Sequence, residues 1–96
     1  MAEHAQIDIV NGDQVVRIHH GWGIPTEVIP TLRKIAGMGN NTEALVVASR
    51  YIRHVPDGSY GLSIIPEDMN AANLSYRYVL DISTQPWILK ATTCAG

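Results

Sequence analysis

Asn11-Gly12-Asp13 constrains the fold more than any other short stretch of this chain. An Asn-Gly pair between two apolar-rich runs is the strongest local signal for a tight β-hairpin, because both residues tolerate positive φ. Before it, Gln6 to Val10 places Ile7, Ile9 and Val10 among polar residues. After it, Gln14 to His19 carries Val15, Val16 and Ile18. Both runs suit half-buried strands, so the chain is expected to begin with a hairpin.

The pattern then breaks at His20-Gly21-Trp22-Gly23-Ile24-Pro25. Two glycines and a proline in so short a run mark a constrained loop. Thr26 is the expected cap of a following helix, with Glu27 in its first turn facing the positive end of the dipole. Pro30 is expected in that first turn, where its missing N–H removes no bond. Val28, Ile29, Leu32, Ile35 and Ala36 recur at helical spacing, and Gly37-Met38-Gly39 offers a left-handed C-cap. Asn40 with Glu43 resembles a capping box that opens a second helix. Its expected core stripe is Leu45, Ala48, Ser49, Ile52 and Val55, with Arg50, Arg53 and His54 mostly on the solvent side. Pro56-Asp57-Gly58 stops it.

The remainder reads as strands at Tyr60 to Ile65, Leu74 to Ile82 and Trp87 to Ala91. Leu74, Tyr76, Tyr78, Leu80 and Ile82 share one face of the second of these, which is expected to be the core face. On the last strand Trp87, Leu89 and Ala91 share a face, with Ile88 and Lys90 on the other. The order ββααβββ is best satisfied by an α+β fold: a mainly antiparallel sheet of about five strands, with two helices packed on one face. At 96 residues the chain is expected to be a single domain over 1–96.

Composition narrows the function classes. Apolar residues make up 46 % of the chain, enough for a packed core and too many for disorder. No apolar run approaches the roughly 20 residues of a membrane span. The lone Cys94 cannot form an internal disulfide, and the first residues show neither basic nor apolar signal-peptide regions, so a cytoplasmic protein is expected. The net charge of −2 argues against a broadly basic nucleic-acid binder. That charge is unevenly placed. Residues 1–16 hold Glu3, Asp8 and Asp13; residues 17–54 hold five Arg or Lys against Glu27 and Glu43; residues 55–96 hold two against four acids. The positive middle stretch also contains His19, His20 and His54.

The loop from Arg17 to Pro25 is the expected site. Arg17, His19, His20 and Trp22 precede a helix N-terminus, where backbone N–H groups and the dipole favour anions. The spacing is neither that of a P-loop nor that of a dinucleotide fingerprint. Adjacent His19 and His20 point to opposite sides of a strand, and no Cys or carboxylate stands beside them at ligand spacing, so no metal is expected. Cys94, the serines and the Glu67-Asp68 pair lack the partners that catalysis needs, so no catalytic residues and no cofactor are expected. Tyr76 and Tyr78 share an apolar face, which argues against a base-stacking surface.

Arg17-Ile18-His19-His20-Gly21-Trp22-Gly23-Ile24-Pro25, followed by a helix with Leu32, resembles a pattern in small phage and bacterial domain proteins that have no assigned activity. In them a strand ends in Arg-His or a similar pair, then an aromatic-Asp-Gly-Tyr-Pro-type turn leads into a helix. The likeness spans residues 14–82. This chain has Gly21-Trp22-Gly23-Ile24-Pro25 in that turn, without the Asp. The resemblance implies the fold and an origin on mobile elements, and no activity. The expected function is a small non-enzymatic protein-binding module, with Trp22, Arg50, Arg53 and His54 as contacts. The alternative is a small-anion or nucleotide binder using Arg17, His19 and His20. An alternating C-terminal strand could also pair edge to edge with a second copy.

Overall fold

A computed structural model describes residues 4–21, 23–38, 43–55, 62–65, 74–84 and 86–93. The hairpin is present. Strand β1 (Ala5–Asn11) runs antiparallel to β2 (Gln14–His20), with Asn11 opposite Gln14. The two-residue turn is therefore Gly12-Asp13, and Asn11 belongs to the strand. Gly12 has a positive φ, in the left-handed region that glycine adopts without steric cost. Nothing stands within 4 Å of where its Cβ would be, so the constraint is purely one of backbone conformation.

Helix α1 spans Pro25–Ala36 and α2 spans Ala44–His54. Strands β3 (Ser63–Ile65), β4 (Tyr76–Asp81) and β5 (Ile88–Thr93) follow. The sheet order is β3-β2-β1-β4-β5. Three of its pairings are antiparallel; β1 and β4 run parallel. The α+β class, the element order and the mainly antiparallel sheet are as the sequence indicated.

Several local expectations are corrected. The N-cap of α1 is Ile24, not Thr26, because Pro25 takes the first helical position, where no N–H is needed. Pro30 consequently lies inside the helix and deprives Thr26 of its helical donor; both residues are exposed. Gly37 is not left-handed. Its backbone stays on the right-handed side, and its N–H donates to the Lys34 carbonyl at 3.1 Å in a tightened last turn. Glu43 is the N-cap of α2 and makes no side-chain cap. The Ala44 N–H instead donates to Gln14 Oε1 at 3.0 Å, so a side chain from β2 caps the second helix. Asn40 lies outside the described residues, as do Tyr60 and Gly61 ahead of β3.

The core stripe of α2 is also shifted. Ala44, Val47, Ala48 and Tyr51 are its buried residues, while Leu45 is 56 % exposed. Ser49 is exposed too, and its hydroxyl donates to the Val46 carbonyl. A tyrosine in the stripe rotates the buried face by about one residue. With no Phe in the chain, Tyr51 and Tyr78 are the largest fully buried side chains among the described residues.

The core lies between the helices and one sheet face. Ala5, Ile7 and Ile9 of β1, Ile18 of β2, Tyr78 and Leu80 of β4 and Ile82 stand side by side on that face. Val28, Leu32 and Ile35 of α1 and the α2 stripe close it. The expected core face of β4 is confirmed. Helix α2 lies over β1 and β2, and α1 lies beside α2. No described helix is long and apolar enough to cross a membrane.

Candidate functional site

The loop singled out by sequence turns inward. Gly23 is buried, and a Cβ there would collide with the Cβ of Ala5. Only glycine lets the loop cross the start of β1 this closely. The Gly23 carbonyl then accepts a hydrogen bond from the Tyr78 hydroxyl at 2.9 Å. His20, 1 % exposed, ends β2 on the helix side, and its Nδ1 shares a 3.0 Å hydrogen bond with Tyr51 Oη. Their rings meet edge to face.

Burial sets the ionisation of this corner. Desolvation lowers the His20 pKa, and neighbouring His19 lowers it further. Burial pushes the Tyr51 hydroxyl up, helped by Tyr78 and the Glu27 carboxylate. Both groups are therefore neutral at pH 7. His20 Nε2, Glu27 Oε2 and Arg50 Nη1 are buried without a hydrogen-bond partner among the described residues, each of which costs free energy unless water reaches it.

The other residues of the expected anion site do not join His20. Arg17 lies on the opposite sheet face, directly across from Asp8. Its Nε donates to Asp8 Oδ1 at 2.9 Å and its Nη2 to Oδ2 at 3.1 Å, a two-pronged ion pair with both side chains mostly buried. His19 shares that face, stacked on His4, with 3.0 Å between His19 Nε2 and His4 Nδ1. Burial, then His4, lowers the His19 pKa. His20 thus diverges from Arg17 and His19, as alternation along a strand requires. Trp22 lies outside the described residues. On α2, Arg53 is exposed, while Arg50 and His54 are half-buried. Among the described residues no group of three or more His, Cys, Asp or Glu could hold a metal ion.

A different surface is open. Strand β5 is the last in the sheet, and its outer edge pairs with no described strand. Beside it, on the helix side, lies a groove of about 230 Å³ lined by Leu32, Arg33 and Ala36 of α1 with Leu80, Trp87 and Leu89. That volume is below the roughly 300–1,000 Å³ of small-molecule sites and suits one or two side chains. On the opposite face of β5, Ile88 is 46 % exposed and Lys90 is exposed.

Sequence reasoning placed Trp87 and Leu89 on the right face yet missed the groove. A signal was available in the element count. Two helices about 10 Å wide cover roughly four strands spaced about 4.8 Å apart, so a fifth strand must overhang. Comparison with family models, curated proteins and solved structures finds no match for this chain.

Proposed function

We propose that this chain is a small, non-enzymatic protein-binding module that engages its partner through the β5 edge. The observation that carries the reading is a six-residue edge that pairs with no described strand, beside a groove lined by Leu32, Ala36, Leu80, Trp87 and Leu89 together with Arg33. An exposed edge presents a row of backbone donors and acceptors that an incoming strand can satisfy. The apolar side chains in the groove beside it, Leu32, Leu80, Trp87 and Leu89 among them, supply burial, the main favourable term in association. By contrast, the polar groups of the β2–α1 corner are turned into the fold, and Arg17 is already paired with Asp8.

The competing surface is the outer side of α2 around Arg53, where Leu45 is exposed. A photo-crosslinking residue placed at Ile88 or at Leu45, in cells that make the protein, separates the two. The reading expects a discrete adduct from position 88 and none from position 45. Adducts from position 45 alone would move the interface to α2 and sink the β5 reading.

A further inference from the structure

If β5 is the interface, the same edge also selects the sequence it accepts. Resting on that reading, we infer that β5 takes an extended peptide segment in which apolar residues alternate with carboxylates. A strand added to a sheet sends successive side chains to opposite faces. On the helix side those side chains fall beside Leu89 and Ala91 and the mouth of the groove lined by Leu32, Ala36 and Leu80. That environment selects apolar residues. On the other side they fall beside Ile88, Lys90 and Thr92.

The charges bordering this edge are mostly of one sign. Lys90 stands in the middle of β5, and Arg77, opposite Thr92 on β4, is exposed on the same face. Arg33 lines the groove on the other, helix-facing side and takes no part in this pair. Among the described residues of β4 and β5 one acid, Asp81, stands on this face, opposite Ile88 and diagonal to Lys90. Its Oδ1 already accepts hydrogen bonds from the Ser83 hydroxyl and backbone N–H, which lower its pKa with help from the Lys90 charge. A protein with a net charge of −2 thus presents two exposed cations, Lys90 and Arg77, on one face of its only long described edge. A carboxylate directly across from Lys90 is favoured and a cation there is repelled.

The charges also argue against a second copy as occupant. Antiparallel pairing of two β5 strands centred on Lys90 would set two ammonium groups opposite each other. Lys90 acts there as a guard against self-pairing while remaining a contact for an acidic segment.

The test measures binding to the intact protein by fluorescence anisotropy with three synthetic peptides. One alternates Leu or Val with Glu, one replaces each Glu by Lys, and one is the Glu peptide N-methylated on every second amide. The Glu peptide should bind on the order of tenfold more tightly than the Lys peptide, the combined effect of attraction in one and repulsion in the other. N-methylation on the edge-facing amides should abolish binding, because the added strand loses its backbone donors. Lys90→Glu should reverse the charge preference while leaving the thermal midpoint unchanged.

Equal binding of the Glu and Lys peptides overturns the inference. So does binding that survives N-methylation of the edge-facing amides, or a dimer of the unaltered protein in solution. If position 88 forms crosslinks with another protein while the Glu peptide shows no preference, the interface stands and the inferred partner chemistry fails. If position 88 forms no crosslink, the reading beneath it fails as well.

Discussion

At the β2–α1 corner polar side chains turn into the protein and find one another; along β5 both polar and apolar side chains stay outside. His20, Tyr51, Tyr78 and the Gly23 carbonyl are buried and bonded at the first place. At the second, Ile88 and Lys90 face solvent, and Trp87 and Leu89 are only half covered. The corner carries the residues that look exceptional in the sequence: paired histidines, close glycines and prolines. The edge is built from residues that look ordinary. The contrast teaches that unusual residues often solve a packing problem, whereas availability for binding depends on what the rest of the fold fails to cover.

The contrast is broken most severely by Gly23→Ala. Its methyl group has no room against Ala5. Forced repacking should cost toward the upper end of about 1–3 kcal/mol in chemical denaturation. A loss below about 0.5 kcal/mol, the scatter of an unconstrained surface position, would mean that the loop is not held against β1. Tyr78→Phe should follow, because it leaves the buried Gly23 carbonyl without its donor. Its cost should fall near the lower end of about 1–3 kcal/mol, the range for stranding one buried polar group.

Acidification comes next. The folded pKa of His20 lies below its ordinary value of 6.5, so the unfolded chain takes up the proton first as pH falls. The stability contribution is complete above the ordinary value. It is lost as pH drops through that value toward the lower folded one. Denaturant midpoints compared at about pH 7.5 and about pH 5 should show the loss, and His20→Phe should reduce it. An undiminished loss would assign the titration to His19.

The smallest effects belong to the edge. Ile88 and Lys90 are both exposed. Ile88→Thr and Lys90→Glu should each change unfolding free energy by no more than about 0.5 kcal/mol, as substitutions at exposed positions do. A larger change would show that β5 is already engaged within the fold, which would erase the contrast.

Much of the architecture was legible because it rests on local chemistry. The Gly12 turn, the alternation through Tyr78 and Leu80, and the helix around Leu32 and Ile35 are written in spacing alone. Details set by distant partners were not. Gln14 caps α2 across 30 residues, and no local pattern announces it. Tyr51 displaces Leu45 from the core because it meets His20 across the sheet end, a contact invisible in either segment. The divergence of His19 and His20 was readable from strand alternation. The β5 groove needed the sheet order, since only that order leaves β5 overhanging α1.

The parallel pairing of β1 with β4 carries a consequence for how the chain reaches this state. Ala5 faces Tyr76, whereas Asn11 faces Gln14 within the same hairpin. One side of the central strand closes almost at once, and the other waits until most of the chain has emerged. The late step bears the loop-closure entropy and sets the pace, in the roughly millisecond-to-second range of folds dominated by distant pairings. A β1 edge without β4 would present unpaired backbone groups, the kind of edge that invites pairing with another chain.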